Sequence, residues 1–323
     1  MQISQQLFQD GIINQEGLDK INSYEKNKPM SLHWELRTIL YLGVLLLTSG
    51  IGILIYKNID TIGHQAILGL ILICTASCFY YGYKQRLPYS NGIVKHPSPF
   101  FDYIILLGCL LFAVFIGYVQ FQYTLFGLHY GIATLIPTIV FFSCAYFFDH
   151  KGLLSLGISG LAAWAGFTVT PMQLLNDNDF SNKAIIFTAI GLGLVLAGFA
   201  YYSELKNIKK HFTSTYNQFS INLLCIATLA ALFQFDLKII SFIGLLAICY
   251  YYFKYAVSKQ SFLFLLLSII YSYIGLSYLF FEMISSFSNF NEGIFMLGFL
   301  YIIASCVGIV FFFLFYKRIL KLK

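Results

Sequence analysis

Charged side chains are scarce in this sequence. Lys, Arg, Asp and Glu make up 11% of its 323 residues, whereas a soluble globular domain carries roughly 25%. That shortfall excludes an ordinary solvated surface. An ionised side chain at the centre of a bilayer costs about 2.5–3.5 kcal/mol even on an insertion scale, so the depletion is what a lipid-facing chain requires. Recognisable catalytic patterns are missing too: there is no His-Glu-x-x-His run, Gly-rich phosphate loop or nucleophile elbow. The carboxylates Asp60, Asp102, Asp149, Asp177, Asp179, Glu204, Asp236, Glu282 and Glu292 lie at the ends of apolar runs or between them. This argues against a proton relay through the middle of the chain. Enzymatic activity is therefore disfavoured, and no cofactor is expected.

The seven cysteines, Cys74, Cys78, Cys109, Cys144, Cys225, Cys249 and Cys306, all fall inside apolar runs. Cys74 and Cys78 stand four apart, but Ile73, Thr75, Ala76 and Ser77 around them supply no further metal donors. Small core residues are the expected role, with no metal site and no disulfide framework. A cleavable secretory signal is not expected either. Such a signal has a short basic region running directly into an apolar core, whereas residues 1–36 are polar and precede an apolar run long enough to anchor.

What the chain does have is long apolar runs. Hydrophobic residues reach 59%, and mean hydropathy is +0.75. A crossing helix needs about 20 apolar residues, because about 30 Å of hydrocarbon is crossed at about 1.5 Å per residue. Ten runs qualify: Thr38–Tyr56, Gly63–Tyr83, Phe101–Gln120, Tyr130–Phe148, Leu153–Met172, Ala184–Tyr202, Tyr216–Phe235, Leu237–Phe253, Ser261–Phe281 and Gly293–Tyr316. Only Asp236 separates the seventh from the eighth, so two full crossings and a re-entrant pair are both open there. The expected fold is an all-α polytopic membrane protein of about ten transmembrane helices. Its expected organisation is a cytoplasmic helical hairpin over 1–36, a bundle over 37–317 and a basic tail over 318–323.

The loops test this count independently, since cytoplasmic loops collect Lys and Arg. With the N-terminus inside, only Lys57, Lys183 and Lys238 of the 20 Lys and Arg fall outside. A wrong count would invert the alternation partway along the chain. Both termini are therefore expected on the cytoplasmic side. The net charge of +6 is explained by these loops and does not call for a nucleic-acid partner. The lipid bilayer is the expected partner.

Within the polar module, Gln2–Asp10 reads as a short helix closed by Gly11. Asn14 then reads as the N-cap of a second, with Glu16 in its first turn facing the positive dipole end. Ile13 and Leu18 are spaced for a hydrophobic staple. The hairpin would rest on the membrane or on loops, or dock a cytoplasmic protein partner.

The sequence Gly11-Ile12-Ile13-Asn14-Gln15-Glu16 is followed by the glycine-bearing run Leu42-Gly43-Val44-Leu45-Leu46-Leu47-Thr48-Ser49-Gly50-Ile51-Gly52 and the turn Asn58-Ile59-Asp60. Over about residues 8–83 this order resembles the bacterial membrane-protein family known as domain of unknown function 2157. Ile59 stands where that family's pattern has tryptophan. The resemblance implies a multi-pass protein of the bacterial cytoplasmic (inner) membrane and implies no activity.

Two places could carry a site. In the ninth run, Ser268, Tyr271, Ser272, Gly275, Tyr278 and Glu282 recur at spacings of three and four, making one stripe about 120° wide. They are either a packing seam, since small and hydroxylated residues let helices approach, or the lining of a cavity with Glu282 at its outer mouth. The turn of Asn58 and Asp60 with His64 is the second candidate. Its plainer reading is a solvated loop in which Asn58 or Asp60 caps the next helix. Two functions follow: a non-enzymatic membrane protein (scaffold, sensor or accessory subunit), or a small-molecule transporter on the ten-helix plan of the drug/metabolite transporters.

Overall fold

The computed structural model describes residues 14–17, 33–94, 98–127, 130–169, 183–286 and 292–321. All regular structure among these is helical. Ten long helices follow in order: α1 (His33–Ile62), α2 (His64–Gln85), α3 (Pro99–Tyr123), α4 (Tyr130–Phe148), α5 (Lys151–Val169), α6 (Lys183–Lys206), α7 (Thr213–Gln234), α8 (Lys238–Lys259), α9 (Phe262–Ser286) and α10 (Glu292–Ile319). A short 3-10 turn, Lys210–Phe212, leads into α7.

Helices α2 to α10 supply nine elements long and apolar enough to cross a membrane, and α1 carries a shorter apolar stretch, Thr38–Leu54. A helix satisfies its backbone internally, which hydrocarbon demands. The seventh and eighth runs resolve into two separate helices of crossing length, parted by Phe235, Asp236 and Leu237. The chain divides into two compact units, Met1–Leu54 and Ile55–Lys323. In the first, Asn14 Oδ1 accepts the Gly17 N–H at 2.9 Å, the bond expected of an N-cap. The rest of the expected hairpin lies outside the described residues. Thr48 on α1 turns its hydroxyl back to the Val44 and Leu45 carbonyls.

In the second unit, helix neighbours in sequence are neighbours in space, and they alternate in direction. The loops α2–α3, α4–α5 and α6–α7 meet at one end, where Val94, Asp149 and Lys209 touch. Lys259 at the end of α8 reaches Glu204 of α6 at the same end. At the other end, His64 of α2 bonds Tyr118 of α3 at 2.7 Å. There too Lys183 lies over the Phe235 ring, and Lys238 pairs with Glu282.

Helix α7 is the hub. It packs on α5, α6, α8 and α9 and reaches α4 through a Tyr146–Tyr216 hydroxyl contact of 2.8 Å. Of its apolar window 61% is buried, against 22% for α8 and none for α10. Lipid tails are as apolar as a leucine side chain, so association within a bilayer rests on close packing and hydrogen bonds. Both occur along α7. Tyr252 of α8 donates to Ser220 Oγ at 2.8 Å, and Ser220 donates to the Gly193 carbonyl of α6 at 2.7 Å. At Gly193 a Cβ would stand 2.7 Å from Leu224 Cγ, so the glycine sets how near α6 and α7 come.

Gly193→Leu is expected to cost about 1–3 kcal/mol by overpacking this contact. A lowered unfolding temperature of the detergent-solubilised protein would show it; Gly191→Leu, at a glycine with open space around it, is the control.

Candidate functional site

The α9 stripe faces α7 and α8. Ser268 is 2% exposed and donates to the Phe264 carbonyl, and Ser272 donates to that of Ser268, each at 2.8 Å. Such back-bonding satisfies a hydroxyl within its own helix. Tyr271 reaches across to Asn222 Oδ1 of α7 at 2.6 Å, and Asn222 Nδ2 holds the Gln218 carbonyl at 2.7 Å. Gly275 admits Leu245, whose Cδ2 would lie 2.5 Å from a Cβ there. Tyr278 packs its ring on Phe233, with centroids 4.5 Å apart. Glu282 Oε1 pairs with Lys238, and its Oε2 is buried without a hydrogen-bond partner. Beside this seam, a groove of about 560 Å³ runs between α8 and α9 with Phe242, Cys249, Ser268 and Ser272 in its wall.

The outer-turn candidates separate. Helix α1 continues through Ile62, so Asn58 and Asp60 fall in its last turns and not in a loop. Their side chains lie outside the described residues. The N-cap of α2 is Gly63. Its φ of +82° is open to glycine at no steric cost, so one residue suffices to break the helix. His64 turns its Nδ1 to Tyr118.

A second constellation was not singled out from the sequence. Asp149 occupies the two-residue break between α4 and α5, at φ +58°, a left-handed conformation that Asp tolerates better than most residues. Its Oδ1 lies 3.1 Å from Lys209 Nζ and 2.5 Å from His211 Nε2. Its Oδ2 accepts the Val94 N–H at 2.7 Å. The Lys209 N–H bonds the Asn91 carbonyl at 3.0 Å, and its ammonium lies over the Tyr89 ring. The side chains of Lys209 and Asp149 are only 1% and 3% exposed. One carboxylate thus clamps three loops that lie far apart in sequence. Next to it, His150 Nδ1 accepts the Leu153 N–H and caps α5. Sequence reading placed Asp149 at the end of an apolar run and Lys209 in a basic loop. Their pairing is a long-range contact that no local pattern announces.

Cys225 and Cys249 bring their sulfurs to 4.0 Å between α7 and α8 and are free thiols. Among the described residues no group of three or more His, Cys, Asp or Glu is arranged to hold a metal ion.

The geometry is thus that of helices joined through polar side chains inside an apolar bundle. Residues 5–154 match the family described as predicted membrane protein DUF2157. The match begins in the polar module and ends in the first turn of α5. It agrees with the resemblance seen over 8–83 and extends it through α2, α3 and α4. No curated protein and no solved structure matches the chain. The apolar helices, together with the similarity of residues 5–154 to the DUF2157 family of predicted membrane proteins, make this a multi-pass integral membrane protein. The DUF2157-like segment contributes Val94 and Asp149 to the loop clamp, and the remainder of the chain contributes Lys209 and His211.

Asp149→Asn keeps the shape and the tolerance for a left-handed backbone but leaves Lys209 buried without its counter-charge. Breaking a buried pair in this way costs about 3–5 kcal/mol. The expected outcome is a large drop in unfolding temperature, partly recovered by adding Lys209→Met, together with faster tryptic cleavage at Lys151.

Proposed function

We propose that this chain is a bacterial cytoplasmic-membrane protein with both termini inside and a non-catalytic role as scaffold, sensor or accessory subunit. The observation that carries this reading is the fate of the α9 stripe. Tyr271 is committed to Asn222, Glu282 to Lys238, and the gap at Gly275 to Leu245. Side chains spent on neighbouring helices hold a bundle together, and a passing substrate would have to break those contacts. The orientation rests on the alternating loops: Lys84, Arg86, Lys151, Lys206, Lys209, Lys210 and Lys259 sit at one end of the second unit, Lys183 and Lys238 at the other. Positive charge is retained on the cytoplasmic side. The polar module over 1–36 then faces the cytoplasm, where it is suited to contact a protein partner.

A second reading, a small-molecule transporter, is favoured by one feature, the groove between α8 and α9 that reaches Ser268 and Ser272. Its aromatic and hydroxylated wall suits an amphipathic organic molecule better than a bare ion.

Two measurements test these readings. A fluorescent protein fused after Lys323 should be bright, and alkaline phosphatase fused after Asp236 should be active; the reverse pattern overturns the orientation. Tyr271→Phe and Glu282→Gln should lower the unfolding temperature by a few degrees and leave growth across a panel of toxic compounds unchanged. A compound-specific growth change at normal membrane levels would favour transport instead.

A further inference from the structure

A pocket of about 280 Å³ opens at the basic end of the bundle, where α6 and α8 stop and α7 and α9 begin. Lys210, His211, Thr213 and Ser214 line it from the start of α7, and Lys259 and Ser261 from the turn between α8 and α9. Lys210 is exposed and makes no ion pair among the described residues. Lys259 shares its charge with Glu204 at 2.5 Å, and both stand on the rim. His211 is already held by Asp149. Phe264 supplies an apolar wall toward the interior of the bundle.

One side chain here is unexplained by the fold. Thr213 is 4% exposed, and its Oγ1 has no hydrogen-bond partner. Buried hydroxyls are nearly always bonded, and an exception calls for an explanation. Thr213 is the first residue of a 22-residue helix, its own N–H taken by the Lys210 carbonyl of the preceding 3-10 turn. Across the pocket α9 starts without such a turn, and the N–H groups of a helix's first turn have no partners within the helix. Such an end attracts anions through those groups and through the positive pole of the dipole. α9 begins against the same pocket, bringing a second positive pole. An ammonium, hydroxyls and two helix starts around an apolar wall match a phosphate group attached to carbon. Lying at the end of the apolar helices, the pocket is at headgroup depth and not in hydrocarbon.

We infer that this pocket binds a phosphate ester at the membrane surface, either a phospholipid headgroup or a soluble phosphorylated molecule. The inference does not rest on the scaffold reading, since either proposed role leaves it standing. Lys210 and the two helix starts supply the attraction, and Thr213 supplies a hydroxyl to the phosphate oxygens.

The full chain, purified in a phosphate-free maltoside detergent, tests this by native mass spectrometry. The probes are dioctanoyl phosphatidylglycerol, dioctanoylglycerol lacking the phosphate, and glycerol phosphate. Phosphatidylglycerol should be retained about tenfold more than dioctanoylglycerol. Thr213→Val and Lys210→Gln should each remove most of that preference, Thr213→Ser should keep it, and Lys317→Gln, at the end of α10, should not alter it. Lys210 is exposed, so its variant reports even if Thr213→Val misfolds. Competition by glycerol phosphate would identify a soluble phosphate ester as the occupant; its failure to compete would identify the lipid headgroup. Equal retention with and without phosphate, or equal loss in Lys317→Gln, would overturn the inference, the latter by assigning the effect to diffuse surface charge.

Discussion

Apolar surface gives helices little reason to associate when the surrounding medium is equally apolar. The second unit of this chain answers that constraint along α7. There the helices come close enough for van der Waals contact only because Gly193 and Gly275 leave room for Leu224 and Leu245. They are held in register by a few polar bonds, Tyr252 to Ser220 to Gly193 and Tyr271 to Asn222. Leucine-rich surfaces turn outward at little cost, which is why α10 buries none of its apolar window. Polar residues are few inside the bundle, and those present are its selective joints.

The same economy governs the basic end. Loops outside the hydrocarbon can carry charge, yet Asp149 and Lys209 are buried almost completely. Burial of an ion pair gains little net stability over an apolar replacement, whereas loss of one partner is severe. Its value lies in specificity: only one arrangement of three loops satisfies Asp149 with Val94, Lys209 and His211 together. Because the clamp joins two loops within the DUF2157-matched segment to one beyond it, it ties that segment to the helices that follow. The neighbouring pocket shares His211 with the clamp, so a group bound there would bear on the same loops.

Much of the architecture was legible along the chain. Apolar run length predicts helices, and nine of the described helices are long and apolar enough to cross, with α1 apolar over Thr38–Leu54. Most boundaries fell within about four residues, because run ends coincide with helix ends when charge and polarity mark the edge of hydrocarbon, while α1, α8 and α9 run five or six residues past theirs. The seventh and eighth runs were ambiguous because Asp236 is a weak punctuation mark, and folding resolved them into two helices. Asn58 and Asp60 were read as a turn, whereas the backbone stays helical through them to Ile62. Gly63, whose positive φ makes the actual break, has no neighbouring pattern to identify it.

Composition and period are local properties, and they determined the class of protein, the helix count, the alternation of basic loops and the one-sided stripe of α9. Partners are not local. The commitment of Tyr271 to Asn222, of Glu282 to Lys238 and of Asp149 to Lys209 and His211 joins residues 44 to 62 positions apart. In an apolar medium the pattern of hydrophobicity carries little information about which face meets which, because lipid and protein neighbours are alike to it. Only the tertiary structure, through steric fit and the few polar bonds, decided which neighbours the stripe meets and that a clamp and a pocket stand at the basic end.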